Sequence, residues 1–169
     1  MRGMGYLSKI WLIGFMGSGK STLGALLAQA LNHRFLDTDL QISAQTRTSI
    51  AQIFKDHSEA HFRELERQLV ATLEQVQTPL VIATGGGLPI YTPLKTGVVI
   101  YLYLDFEAIV ARLQADSNPR PLFKDRDSLY SLYSLYQSRA PIYASMAHHT
   151  ISAHQKPSQV LQTLLEVLG

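Results

Sequence analysis

Residues Gly14-Phe15-Met16-Gly17-Ser18-Gly19-Lys20-Ser21 fit the pattern G-x-x-x-x-G-K-[ST], which marks a loop that cradles the phosphates of a nucleoside triphosphate. Its glycines allow backbone conformations closed to other residues, so that several N–H groups turn toward one anion. Lys20 adds a point charge at the β- and γ-phosphates, and the Ser21 hydroxyl is a magnesium ligand of the type such loops use. The flanks satisfy the context the loop demands. Ile10-Trp11-Leu12-Ile13 reads as an apolar strand before it, and Thr22 to Leu31 as a helix after it, with Leu23, Leu26, Leu27, Ala30 and Leu31 at three- and four-residue spacing. A helix beginning there points its partial positive charge at the phosphates.

Four further strand-like runs follow, Arg34 to Leu36, Leu80 to Ala83, Val98 to Leu104 and a weaker Thr150 to Ser152, each separated by helical patterns. That alternation predicts a three-layer α/β/α fold with a mostly parallel sheet covered on both faces. Helices are expected over Asp39 to Gln45, Ser49 to Phe54, Glu59 to Val76, Phe106 to Leu113, Leu129 to Arg139 and Ser158 to Leu168. Asp105 would cap the helix that begins at Phe106, and Pro157 would open the last one. The repeat Ser-Leu-Tyr, three times over from Ser128 to Tyr136, is too short for a solenoid and reads as a helix that turns Leu129, Leu132 and Tyr136 inward. The polar stretch Ala115 to Asp127 reads as a mobile surface segment.

At 169 residues, with 46% apolar and 17% charged content, the chain suits one domain spanning 1–169. A net charge of +2 is too small to suggest a nucleic-acid footprint. There is no cysteine, hence no disulfide framework, thiol nucleophile or cysteine metal site. No run approaches the length of a membrane span, and the start does not read as a signal peptide. A cytoplasmic protein is expected, without membrane or nucleic-acid partners.

Phe35-Leu36-Asp37-Thr38-Asp39 places two carboxylates at a strand end, where open α/β sheets form their sites. Asp37 can reach toward magnesium, through water, and Asp39 can accept or orient the proton of an attacking hydroxyl, although either can also cap the following helix. Arg63 and Glu66 share one helix face, as a surface ion pair or as a planar fork for a substrate carboxylate held by its acid. Thr84-Gly85-Gly86-Gly87 suggests close approach of a ligand to bare backbone, or a plain turn. Arg112, Arg120 and Arg139 fall in the second half, and arginines that close over phosphates stabilise phosphoryl transfer. His57 and His61 do not match H-E-x-x-H and are read as structural or solvated.

Together these segments, with Ser49-Ile50-Ala51-Gln52-Ile53-Phe54, Phe62-Arg63-Glu64-Leu65-Glu66, Arg120-Pro121-Leu122 and Arg139-Ala140-Pro141-Ile142-Tyr143, resemble the shikimate kinase family, small P-loop kinases of the nucleoside-monophosphate-kinase type. The resemblance runs from about Ile10 to Leu168. It implies strand order 2-3-1-4-5, a lid over about 114–127, substrate-binding helices over about 39–66, and transfer of the ATP γ-phosphoryl group to the 3-hydroxyl of shikimate. Gly17, Ser18, Gly19, Lys20, Ser21 and Thr22 would hold the ATP phosphates, with Mg2+ at Ser21 and Asp37. Asp39 would bind and polarise the acceptor hydroxyl, and Arg63 and Arg139 would clamp the shikimate carboxylate. Gly85, Gly86 and Gly87 would offer backbone donors, Phe54 and Phe62 would line the ring, and Arg120 would be the lid arginine. Arg112 and the stretch Ala153 to Pro157, with Gln155 and Pro157, would hold adenine. Catalysis would rest on Lys20, Asp39 and Arg120, in an enzyme expected to be a monomer acting on ATP and shikimate. The chain departs from the family pattern at Ser58, Pro119 and Ser145. A gluconate kinase of similar fold, or a non-catalytic ATP-binding domain, are the alternatives.

Overall fold

The computed structural model describes residues 8–116 and 126–169, the side chain of Arg126 excepted. Its order is β1 (Lys9–Ile13), α1 (Lys20–Leu31), β2 (Arg34–Asp37), α2 (Thr38–Thr46), α3 (Ile50–Asp56), α4 (Glu59–Gln75), β3 (Leu80–Ala83), α5 (Leu88–Tyr91), β4 (Val98–Tyr103), α6 (Phe106–Ala115), α7 (Arg126–Met146), β5 (His149–Ser152) and α8 (Pro157–Leu168). The strands form one sheet of order β2-β3-β1-β4-β5, as expected. Every pairing is parallel, with Trp11 facing Ile82 on one side and Val99 on the other. Sheets of this kind need their faces covered, and β1, β3 and most of β4 are buried throughout. Trp11 is fully buried and satisfies its indole N–H on the Thr96 carbonyl at 2.8 Å.

Local chemistry sets the boundaries that matter to the site. Asp37 Oδ1 accepts the Asp39 and Leu40 N–H groups and starts α2, Ser49 caps α3, and Ser58 caps α4. Asp105 caps α6 through the Ala108 N–H, and Pro157 opens α8, as the sequence leads one to expect. The short α5 was not legible, because it follows three glycines and spans one turn.

Two expectations about α7 are corrected. The helix continues past Arg139 to Met146, through Pro141. Proline removes a backbone donor and disfavours helix, yet packing overrides it: Tyr143 is fully buried, its ring stacks 5.3 Å from Tyr101, and its hydroxyl donates to the Gly86 carbonyl at 2.5 Å. Leu129 is exposed, not inward. It lies in the first turn of α7, ahead of Leu132, where the helix first meets the core, and of Tyr136, which donates to the Leu104 carbonyl at 2.8 Å. Of the expected lid over about 114–127, residues 117–125 lie outside the described residues, Arg120 among them.

The turn into β4 carries the clearest backbone demand. Gly97 has φ +84°, and a Cβ there would stand 2.3 Å from the Lys9 carbonyl oxygen. Gly97→Ala should therefore lower unfolding stability by about 2 kcal/mol or more in urea titrations. An unchanged midpoint would show that the turn relaxes without strain.

Candidate active site

All five strands run in one direction, so their carboxyl ends open on one edge, and β1, β2 and β3 each deliver a loop there. The loop after β1 wraps into α1. Gly17 and Gly19 have φ +79° and +92°, values that only glycine adopts without strain. Lys20, nearly buried, donates from Nζ to the Gly14 and Phe15 carbonyls at 2.8 and 2.9 Å. The ammonium thus sits within the loop, with carbonyls in the place where phosphate oxygens would compete for it. Ser21 Oγ donates to Asp37 Oδ2 at 2.5 Å. One Asp37 oxygen thus caps α2, as one reading expected, and the other accepts from the phosphate-loop serine.

A cleft of about 630 Å³ opens over this loop and gathers Lys20, Ser21, Asp37, Asp39, Phe54, Phe62, Arg63, Gly85, Gly86, Gly87 and Arg139. The residues expected to hold the acceptor thus share one cavity with those expected to hold phosphate. Ser18 does not line it, being buried beneath the loop. Phe54 and Phe62 stack at 4.9 Å and form an apolar wall.

Arg63 and Glu66 are not a solvated surface pair. Their side chains are 12% and 1% exposed, and Arg63 Nη1 donates to Glu66 Oε1 at 2.5 Å while Nη2 donates to Glu59 Oε1 at 3.1 Å. The guanidinium also lies over the Tyr91 ring at 4.3 Å. Burial works against the Arg63 charge, but Glu66 and Glu59 outweigh it and hold the group more firmly protonated than usual. For Glu66, burial pushes the carboxyl up to about 7; Arg63 and Arg139 oppose the rise and Asp39 adds to it. Glu66 Oε2 has no hydrogen-bond partner among the described residues.

Two of the three glycines after β3 have a reason that the sequence did not reveal. A Cβ on Gly85 would lie 2.6 Å from Asp39 Oδ1, and one on Gly87 would lie 2.5 Å from Arg63 Nη2. The close approach is made by the site's own carboxylate and guanidinium, which lie on bare backbone. The Gly85 N–H is held by the buried Thr38 Oγ1 at 2.9 Å, so Gly85 contributes its missing side chain more than its donor. Thr38 and Tyr91 are the residues sequence reasoning missed. Thr38 stood in view between the two aspartates, whereas nothing marked Tyr91.

A second cleft of about 480 Å³ adjoins the loop on the other side, lined by Gly17, Gly19, Thr22, Arg112, Ala153, Gln155 and Pro157 among others. Arg112 donates to the Ser18 carbonyl at 3.3 Å and to the Ala153 carbonyl, joining the phosphate loop to the turn after β5. His57 and His61 stack at 4.4 Å, and among the described residues no cluster of metal-binding side chains occurs.

The family model described as shikimate kinase matches residues 16–169. A shikimate kinase of a Synechococcus species is 40% identical over 165 residues, covering 95% of this chain and 84% of the relative. The solved structure of a shikimate kinase from Acinetobacter baumannii in complex with shikimate is 34% identical, with a TM-score of 0.84 over 95% of this chain and 92% of that one. A gluconokinase from Sinorhizobium meliloti, 15% identical with a TM-score of 0.65, covers 98% of this chain and 93% of its own and shares the fold alone.

The raised Glu66 carboxyl has a measurable sign. Between about pH 4.5 and 7 the folded chain keeps a proton that the unfolded chain has released, so stability should fall as pH rises across that window, by up to about 1.4 kcal/mol per pH unit. Thermal melts from pH 5 to 7.5 should show this decline in the parent and lose it in Glu66→Gln. The same slope in both proteins would assign the proton elsewhere.

Proposed function

The chain belongs to the shikimate kinase family, and on that footing we propose that it moves the γ-phosphoryl group of ATP to the 3-hydroxyl of shikimate, giving shikimate 3-phosphate and ADP. The observation that carries this reading is the single cleft that joins the phosphate loop to Asp39, Arg63 and Arg139.

ATP lies with its base in the cleft beside Arg112, Gln155 and Pro157 and its phosphates on the backbone of Gly17 to Thr22. Lys20 exchanges its two carbonyl partners for phosphate oxygens. Ser21 and Asp37 offer hard oxygen donors in contact with each other, a set that suits Mg2+, which takes one or two protein ligands and completes its shell with phosphate and water. Ser21 and Asp37 would hold the ion, which would supply charge neutralisation at the β- and γ-phosphates.

Shikimate enters with its carboxylate between Arg63 and Arg139, where guanidinium forks give paired, directional hydrogen bonds. Arg63 is already held by Glu59 and Glu66, so little ordering remains to be done on binding. The ring rests against Phe54 and Phe62. Asp39, braced on Gly85, receives the hydrogen bond of the acceptor hydroxyl, aligns its oxygen with the γ-phosphorus and takes the proton as the new P–O bond forms. The bond from the γ-phosphorus to the β,γ-bridging oxygen breaks, and ADP leaves. Arg120, outside the described residues, has the role of countering charge on the transferring group. We further propose a single domain over 1–169, with a lid over about 114–127, active as a monomer in the cytoplasm without nucleic-acid or membrane partners. Among the described residues, no helix is long and apolar enough to cross a membrane.

An assay coupled to ADP release, run with shikimate, with gluconate and with no acceptor, should give turnover with shikimate alone; equal rates with gluconate or without acceptor would refute the acceptor. Asp39→Ala should abolish phosphorylation while ATP binding survives. Arg63→Ala should weaken shikimate binding by about 1.5 to 3 kcal/mol and leave ATP affinity nearly unchanged. Equal loss of ATP affinity would remove Arg63 from the carboxylate clamp.

A further inference from the structure

His154 lies in the turn between β5 and α8 and belongs to no part of the mechanism above. Its Nε2 is 2.8 Å from Asp105 Oδ2, and its Nδ1 is 2.9 Å from Ser152 Oγ. The order serine, histidine, aspartate suggests a hydrolytic triad, but none of the three lines either cleft described above. The Tyr103 ring lies 5.8 Å from the imidazole.

What the three residues border is informative. Ala153 and Gln155, on either side of His154, both line the second cleft, as does Pro157. Arg112, carried by α6, lines the same cleft. Asp105 is the N-cap of that same helix, its Oδ1 accepting the Ala108 N–H at 2.8 Å. One carboxylate therefore touches both elements that carry lining residues: Oδ1 accepts at the start of α6 and Oδ2 meets His154 in the turn. The Ala108 N–H, with help from His154, keeps the Asp105 carboxyl below its usual range, so it stays charged for both contacts. Ala153 is tied directly, its N–H donating to the Tyr103 carbonyl at 2.8 Å and its carbonyl accepting from Arg112. Beyond Ala153, the His154 side chain is the contact that ties the turn across to Asp105.

We propose that the His154–Asp105 contact is a clasp that sets the width of the slot for the nucleotide base, which makes His154 and Asp105 positioning residues for ATP. The inference rests on the assignment of ATP to that cleft. Because the pair is exposed, its effect is small and confined to the nucleotide. Removal of the clasp leaves the turn more conformations to lose when the base binds, and ATP affinity falls while the shikimate subsite is untouched.

Three variants of the full chain test it. His154→Ala removes the clasp. Asp105→Ser keeps an N-cap for α6 but is too short to reach His154. His154→Gln can still place an amide donor near Asp105. In equilibrium titrations with ATP and Mg2+, the first two should bind ATP about two- to five-fold more weakly, and His154→Gln should recover most of the loss. In steady-state assays the KM for ATP should rise by the same factor, with kcat and the KM for shikimate unchanged. Unaltered ATP affinity in both His154→Ala and Asp105→Ser, or an equal rise in the KM for shikimate, would overturn the clasp. If the parent binds ATP but does not phosphorylate shikimate, the acceptor assignment falls, while the ATP titrations still decide the clasp.

Discussion

Every strand of the sheet runs the same way, and the chemistry of the chain follows from that constraint. Parallel strands place all their carboxyl ends on one edge, so the phosphate loop after β1, the aspartates at the end of β2 and the glycines after β3 meet without any long excursion of the chain. Because β1 is central, with β3 on one side and β4 on the other, the phosphate loop sits between two clefts. One holds the groups suited to a small carboxylic acid with a hydroxyl to be phosphorylated. The other is framed by Arg112 and the turn after β5. The transfer needs its two substrates on either side of one anion cradle, and the order of strands supplies that arrangement.

Within the first cleft, charge is organised before any ligand enters. Arg63 is held by Glu59, Glu66 and the face of Tyr91, and Asp39 and Arg63 both lie against glycine backbone. A buried ion pair is poor evidence of stability, since desolvation offsets much of its attraction. The raised Glu66 carboxyl and its unpartnered oxygen are marks of that cost. In the proposed function the compensation is that a fixed guanidinium has fewer rotamers to lose when a carboxylate arrives. Thr38 and Tyr143 brace the same region from behind, holding Gly85 and Gly86 by hydrogen bonds.

The sequence carried the fold in its periodicities and the phosphate loop in its glycines. The five strands and the helix starts at Asp105 and Pro157 were legible there, whereas the strand order and the grouping of Asp39, Arg63 and Arg139 came with the family resemblance. What it could not show depends on contacts between distant segments. The passage of α7 through Pro141 is decided by the burial of Tyr143, and local propensity argues against it. The glycines after β3 read as room for a ligand, and nothing in the sequence showed that the side chains of Asp39 and Arg63 also press on Gly85 and Gly87. Asp37 could be read as a cap or as a site residue, and only coordinates reveal that its two oxygens do one task each. The link from His154 to Asp105 spans 49 positions and follows no motif.

In the proposed reaction one cleft aligns a single hydroxyl of one acid with the terminal phosphate of ATP. The most direct measurement is phosphorus–proton correlation NMR of the product after one turnover with ATP, Mg2+ and shikimate. A single phosphomonoester coupled to the ring proton at carbon 3 should appear in step with ADP formation. Phosphate appearing only in its inorganic form, or spread over several ring hydroxyls, would contradict it.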